Sequence, residues 1–152
     1  MKFDSMDDIT MRNSSLYARL LLGRARHLMY KARQKELTPY CITHQQANLL
    51  FILFNLCHKA TLTELAKYSY RGTKNVSMQM IRMEKDGLVK KVRETPKSAL
   101  LSFELTEKGV STYKNCYKMR SVKAILSVLS EEERQQLIST LNKIINKAEK
   151  YQ

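Results

Sequence analysis

The stretch that most constrains this chain runs from Thr61 to Gly109: TLTELAKYSYRGTKNVSMQMIRMEKDGLVKKVRETPKSALLSFELTEKG. Its pattern predicts a short helix, a turn, a second helix closed by Asp86-Gly87, and two short strands joined by a polar turn. After Gly72, the residues Val76, Met80 and Met83 recur at spacings of four and three and so share one helical face. Thr73, Lys74, Asn75, Ser77, Met78, Gln79 and Arg82 fall on the other sides. The first helix offers Leu62, Leu65 and Ala66 as its inner side, and Thr61 with Glu64 has the spacing of a capping box. Helices this short are marginal alone, so both must pack crosswise on something larger.

Leu88 to Glu94 (LVKKVRE) alternates imperfectly, whereas in Ala99 to Leu105 (ALLSFEL) the residues Leu101, Phe103 and Leu105 alternate with Ser102 and Glu104, as in a half-buried strand. Thr95-Pro96-Lys97-Ser98 between them is turn chemistry. Lys90, Lys91, Arg93 and Lys97 make the hairpin cationic, suited to phosphates or a narrow minor groove. The order helix, turn, helix, basic hairpin predicts a winged helix-turn-helix. In that arrangement one helix braces the phosphate backbone and the other enters the major groove with its N-terminal residues foremost. Asn and Gln can pair with adenine, Arg and Lys with guanine, and Thr or Met can touch a thymine methyl. A merely solvated helix face and hairpin tip is the competing reading; the joint occurrence of turn, helix and wing weighs against it.

The rest of the chain is read as support. Residues 1–11 are a polar lead-in. From Asn13 to Glu36 a long helix carries Leu16, Leu20, Leu21, Ala25, Leu28, Met29 and Ala32 on one broad stripe. Arg19, Arg24, Arg26, Lys31, Arg33 and Lys35 flank it, read as solvated charges with snorkelling stems; a phosphate or anionic-ligand contact is the sharper alternative. Pro39 breaks this helix, and Thr43 with Gln46 caps the next. That helix, to His58, is apolar on nearly every side and is expected to be central. After the hairpin, Thr106 is expected to cap a long helix bearing Val110, Tyr113, Tyr117, Ala124 and Leu126. Ser130 to Glu133 caps a last helix whose seam is Leu137, Leu141, Ile144 and Ala148. Such terminal helices lack an internal partner and are expected to pair with those of a second copy. A two-fold dimer sets its reading helices roughly 34 Å apart and so prefers an inverted repeat.

Charge points the same way. The net charge is +13, from 27 basic and 14 acidic residues. Lys67, Arg71, Lys74, Arg82, Lys85, Lys90, Lys91, Arg93 and Lys97 face only Glu84, Asp86 and Glu94 over residues 67–97, a balance that favours a polyanion partner. The cluster falls on turn, helix and hairpin rather than one amphipathic face, which argues against a membrane surface. The start MKFDSMDDIT is not a secretory leader, and the apolar run Leu49 to Phe54 is far short of the about 18 residues a span needs. Three widely spaced cysteines, Cys41, Cys57 and Cys116, point to a reducing cytoplasm and away from a disulfide framework. Enzymatic chemistry has no constellation here. The four glycines form no phosphate loop, and neither G-x-S-x-G nor H-E-x-x-H occurs. His27, His44 and His58 are scattered, so no metal or cofactor is expected. Cys57-His58 is expected within a helical turn, and Cys41 as a small buried residue at a helix junction, a redox sensor being its alternative.

Glu64-Leu65-Ala66, the spacing to Met83-Glu84-Lys85-Asp86-Gly87-Leu88-Val89, and Leu105-Thr106-Glu107-Lys108-Gly109 together resemble the MarR family of bacterial transcription regulators. The resemblance covers about residues 12–150 in element order, with the specific motifs between 61 and 109. It implies a mainly α (α+β) fold in one chain: dimerisation helices at 12–40 and 110–150, and a DNA-binding lobe at 43–109. Carried over by position, the reading residues are Thr73, Lys74, Asn75, Ser77, Met78 and Arg82. The chain departs from the family in the wing. Lys97, Ser98 and Ala99 stand where an Asp followed by basic residues is usual, so Arg93 or Lys97 must substitute or the wing contributes less. The resemblance also implies a crevice for an aromatic or anionic effector, lined here by Arg24, Tyr40, His44, Tyr113 and Tyr117, which are equally well read as packing. The expected function is thus a cytoplasmic, homodimeric, sequence-specific DNA-binding regulator, a repressor by preference. Its duplex contacts would be Arg71, Thr73, Lys74, Asn75, Ser77, Met78, Gln79, Arg82, Lys90, Lys91, Arg93 and Lys97. A winged helix serving as an interaction module for an acidic protein is the alternative.

Overall fold

The computed structural model describes residues 14–93 and 101–151. The chain divides into two compact units, residues 30–119 and residues 1–29 with 120–152. The first helix, α1 (Ser14–Leu37), contributes to both.

The unit of residues 30–119 is built around α2 (His44–Asn55), as its all-round apolar sequence predicts. Thr43 and Gln46 cap it reciprocally: Gln46 N–H donates to Thr43 Oγ1 at 3.2 Å, and Thr43 N–H donates to Gln46 Oε1 at 2.8 Å. Ala47, Leu49, Leu50, Ile52 and Leu53 of α2 are buried, while Phe51 stays exposed. Around them pack α3 (Leu62–Ser69) through Leu65 and α4 (Thr73–Lys85) through Val76, Met80 and Met83. Leu37, at the end of α1, and Tyr113 of α5 (Glu107–Cys116) join this core, as do Ala60, Val89, Phe103 and Leu105. Thr61 and Glu64 form the expected capping box on α3. The backbone N–H of Thr61 and then its hydroxyl hold the Glu64 carboxyl below its ordinary value. A depressed carboxylate stabilises the fold above the ordinary carboxylate range and loses that contribution as pH falls through its lowered value.

The sheet has three antiparallel strands, β1 (Lys59–Thr61), β2 (Val89–Arg93) and β3 (Leu101–Leu105), in the order β1-β3-β2. β1 is absent from the sequence reading because three residues are too few for alternation to show. Its position makes β3 central, which explains why Ser102, expected on the polar side, is buried between Thr61 and Val92. The end of α4 and the start of α5 are clasped by one residue, Thr106. Its N–H donates to the Leu88 carbonyl at 3.1 Å and its hydroxyl donates to the Gly87 carbonyl at 2.6 Å, while the same oxygen accepts from Gly109 N–H at 3.0 Å. Gly109 is required there: a Cβ would overlap the Leu88 carbonyl oxygen.

Several expectations are corrected. The helix capped by Thr106 ends at Cys116, and Ala124 and Leu126 lie on a separate α6 (Arg120–Leu126) after Met119, which takes φ 47°. α5 buries Tyr113 and Cys116 in this unit's core, and the chain leaves that unit at residue 119. The end of α1 and all of α5 thus lie within the compact unit of residues 30–119. Cys57 and His58 are not helical: both are left-handed, at φ 55° and 69°, in the turn that delivers the chain to β1. Cys41 is exposed, not buried, and is also left-handed at φ 54°. Arg33, counted among solvated charges, is 2% exposed. Its Nη2 donates to the Cys116 carbonyl at 2.5 Å and its Nη1 pairs with Glu36 at 3.1 Å, so its charge is compensated inside.

The other unit, among its described residues, consists of the first part of α1, α6, and α7 (Glu131–Ala148) with a last 3₁₀ turn Glu149–Tyr151. Ser130 and Glu133 cap α7 as expected. None of these described residues is buried. Leu20, Leu21, Leu28, Leu137, Ile138, Ile144 and Ile145 are all exposed. No described helix is long and apolar enough to cross a membrane.

Arg33→Ala is expected to cost about 1–3 kcal/mol in urea unfolding, because it strands a buried carbonyl. The exposed Lys31→Ala is expected to stay within about 0.5 kcal/mol of the parent protein. Gly109→Ala is expected to lower the unfolding free energy by about 1–3 kcal/mol, by forcing α5 away from Leu88.

Candidate nucleic-acid interface

α3 stops because Tyr70 turns left-handed, at φ 52° and ψ 41°. Its N–H donates back to Ala66 and Lys67, and Arg71 N–H donates to the Ala66 carbonyl at 3.2 Å. This is a glycine-type C-cap occupied by tyrosine, a conformation that costs a residue with a Cβ roughly 1–2 kcal/mol. Two residues on, Gly72 opens α4 without a side-chain cap. The positive end of the helix is thus left without a capping acceptor from its own N-cap residue.

With Val76, Met80 and Met83 turned inward, the outer faces of α4 follow. Thr73, Lys74, Asn75, Met78 and Arg82 are exposed, and Ser77 is half-buried. Gln79 departs from expectation. It flanks the buried stripe, and its Oε1 is shielded from solvent in a small polar pocket shared with Gln45, Asn48 and Ser69. Arg71 and Asn75 also line that pocket. In the sequence Gln79 looks outward, because a polar residue beside a narrow apolar stripe reads as surface. Ile81 was missed for the opposite reason: it is aliphatic yet 54% exposed on the outer side of α4, near Met78 at 50%. Its one signal is that it lies outside the spacing of Val76, Met80 and Met83.

The hairpin supplies cations that are already paired. Lys90 Nζ lies 3.3 Å from Glu104 across the β2–β3 register, and Lys91 Nζ lies 2.8 Å from Glu84 of α4. Both pairs are solvent-exposed, each worth about 0–1 kcal/mol, so an incoming phosphate can exchange with the carboxylates at small cost. Arg93 is exposed at the end of β2, opposite Leu101. Lys97, with the turn and departure read at residues 95–99, lies outside the described residues. Arg71 and Lys67 are exposed on either side of Tyr70.

The residues read as an effector crevice do not share one environment. Tyr113 is core: it is buried, and its ring stacks on Phe54 with centroids 4.2 Å apart. Tyr117 is exposed, 5.6 Å from Tyr113. His44 meets the Tyr30 ring at 5.2 Å, and Tyr40 is exposed in the 3₁₀ turn Thr38–Tyr40. Arg24 is exposed on α1, in the other compact unit.

No family model and no curated protein matches the chain. Solved structures do. One is the organohalide-sensing transcriptional regulator RdhR bound to 2,4-dichlorophenol, with a TM-score of 0.85 and 24% identity over 96% of this chain and 88% of that one. Another is AbsC, a MarR family transcriptional regulator from Streptomyces coelicolor, with a TM-score of 0.82 and 20% identity over 98% and 99%. A third is the MepR–DNA complex of S. aureus, with a TM-score of 0.75 and 22% identity over 84% and 94%. At these identities the likeness establishes the winged-helix fold of MarR-type regulators for this chain.

Among the described residues no three His, Cys, Asp or Glu side chains come together as a metal site. The thiols differ in environment. Burial pushes the Cys116 thiol above its ordinary value, the Arg33 charge partly opposing, whereas Cys41 and Cys57 are exposed. In the native protein, a thiol-specific chromogenic reagent is expected to label two cysteines rapidly. The third, Cys116, is expected to react only at the rate of unfolding.

Proposed function

We propose that this chain is a MarR-family transcription regulator that binds duplex DNA as a homodimer in the cytoplasm, with repression as its direction of control. One observation carries the reading. α4 buries only Val76, Met80 and Met83 and turns Thr73, Lys74, Asn75, Met78 and Arg82 to solvent beside a basic hairpin. The shared fold with MepR, whose structure was determined on DNA, supports it. Lys67, Arg71, Lys90, Lys91, Arg93 and Lys97 neutralise phosphates, and Lys74, Asn75, Met78 and Arg82 read base edges, with Thr73 and Ser77 at the margin. Gln79 is left out, because its side-chain oxygen is turned to the interior.

The dimer is supported by residues 14–29 and 120–151, none of which is buried in a single chain. A self-complementary contact through α1 and α7 would cover Leu20, Leu28, Leu137 and Ile144 with their own counterparts. An aromatic or anionic effector is a second element of the proposal. RdhR holds 2,4-dichlorophenol, and here Tyr40, His44 and Tyr117 are the accessible members of the predicted set within residues 30–119, Tyr113 serving packing. Such a ligand acts only through different affinities for the DNA-competent state and another. The hairpin pairs Lys90–Glu104 and Lys91–Glu84 show that carboxylates suit this surface, which keeps an acidic protein partner as the alternative reading.

Arg82→Ala is expected to weaken operator binding by about 1–3 kcal/mol and leave random duplex unaffected. Equal losses on both duplexes would place Arg82 on the backbone instead. In a gel-shift series the affinity is expected to fall linearly in log–log form with salt; a flat response would sink the basic lobe as the DNA contact. Competition with random duplex separates the DNA reading from the acidic-protein one.

A further inference from the structure

One residue of the helix-turn-helix carries a side chain that its own conformation does not call for. Tyr70 holds the left-handed corner between α3 and α4, where glycine or asparagine would sit at less cost. Its side chain is 88% exposed, more than any other large apolar or aromatic side chain described. No side-chain hydrogen bond or ring contact ties it to a described residue, unlike Tyr68, whose ring lies 5.6 Å from Lys67 Nζ. The backbone turn is used to cap α3, a task glycine would serve as well, so the large side chain held in water at that corner points to something outside the molecule.

The surroundings say what kind of group that is. Lys67 and Arg71 are exposed three residues before and one residue after Tyr70, and the uncapped N-terminus of α4 begins just beyond. Two cations, a positive helix end and a phenolic donor on an apolar ring match a phosphodiester chain: anionic oxygens alternating with apolar sugar faces. We propose that Tyr70 is a DNA-backbone contact whose ring packs on a deoxyribose and whose hydroxyl donates to a phosphate oxygen. The phosphates on either side are neutralised by Lys67 and Arg71. This inference rests on the DNA-binding reading above. The contact carries no sequence information; it fixes the register at which α4 meets the groove, so Tyr70 is a positioning residue.

The test uses the full chain and a random-sequence duplex followed by fluorescence anisotropy. Tyr70→Gly is expected to keep or raise the unfolding midpoint, because the left-handed turn suits glycine, yet to weaken duplex binding roughly tenfold. Tyr70→Phe keeps the ring and is expected to lose about threefold, with the salt slope unchanged because no charge is removed. Lys67→Ala, by contrast, is expected to reduce that slope by about one. If Tyr70→Gly binds the duplex as tightly as the parent protein, the contact does not exist and only this inference falls. If Tyr70→Gly and Tyr70→Asn both unfold more easily than the parent, the side chain serves the free protein and the inference falls as well. If the parent protein binds no duplex at all, the DNA-binding reading itself is lost.

Discussion

The burial of one narrow face of α4 is the constraint on which the remainder depends. Val76, Met80 and Met83 are each at most 2% exposed and seat the helix against α2 and its neighbours. Because three residues at spacings of four and three cover only one side of a helix, the other sides are released to water. A wider apolar face would have buried Asn75 or Arg82, and a narrower one would not hold thirteen residues of helix in place. The capping boxes at Thr43 and Thr61 and the left-handed stop at Tyr70 then set where α2 and α3 begin and end, and so how α4 is presented.

Electrostatics on this lobe are held in reserve rather than spent. Lys90 and Lys91 each have a carboxylate partner in the free protein, so the basic hairpin is locally quieter than its sequence suggests. Exposed pairs of this kind exchange readily, and the cations become available when a stronger polyanion arrives. Arg33 works in the opposite sense. Its charge is enclosed with Glu36 and the Cys116 carbonyl, where it ties the end of α1 to α5 and has no route to a ligand.

Much of this was legible in the residues themselves. Capping boxes at Thr43, Thr61 and Ser130 can be read because their partners sit three positions away, and the stripe on α4 because its period is local. What escaped is long-range. β1 is three residues whose pairing with β3 exists only once residues 59–61 and 102–104 meet. The burial of Arg33 depends on a carbonyl 83 positions later. Gln79 is half-buried, with its side-chain oxygen shielded in a small pocket that Gln45, Asn48 and Ser69, on other elements, help to line. Cys41 and Cys57 stand in left-handed turns that no spacing announces.

The clasp at Thr106 has a mechanical meaning. One side chain caps α5 and, through the same oxygen, grips the Gly87 carbonyl just past the end of α4, while Lys108 Nζ holds the Asp86 carbonyl at 2.7 Å. Gly109 leaves no slack against Leu88. The two helix ends are therefore geared together: a tilt imposed on α5 is passed to α4 with little lost on the way, and α4 is steered from its far end.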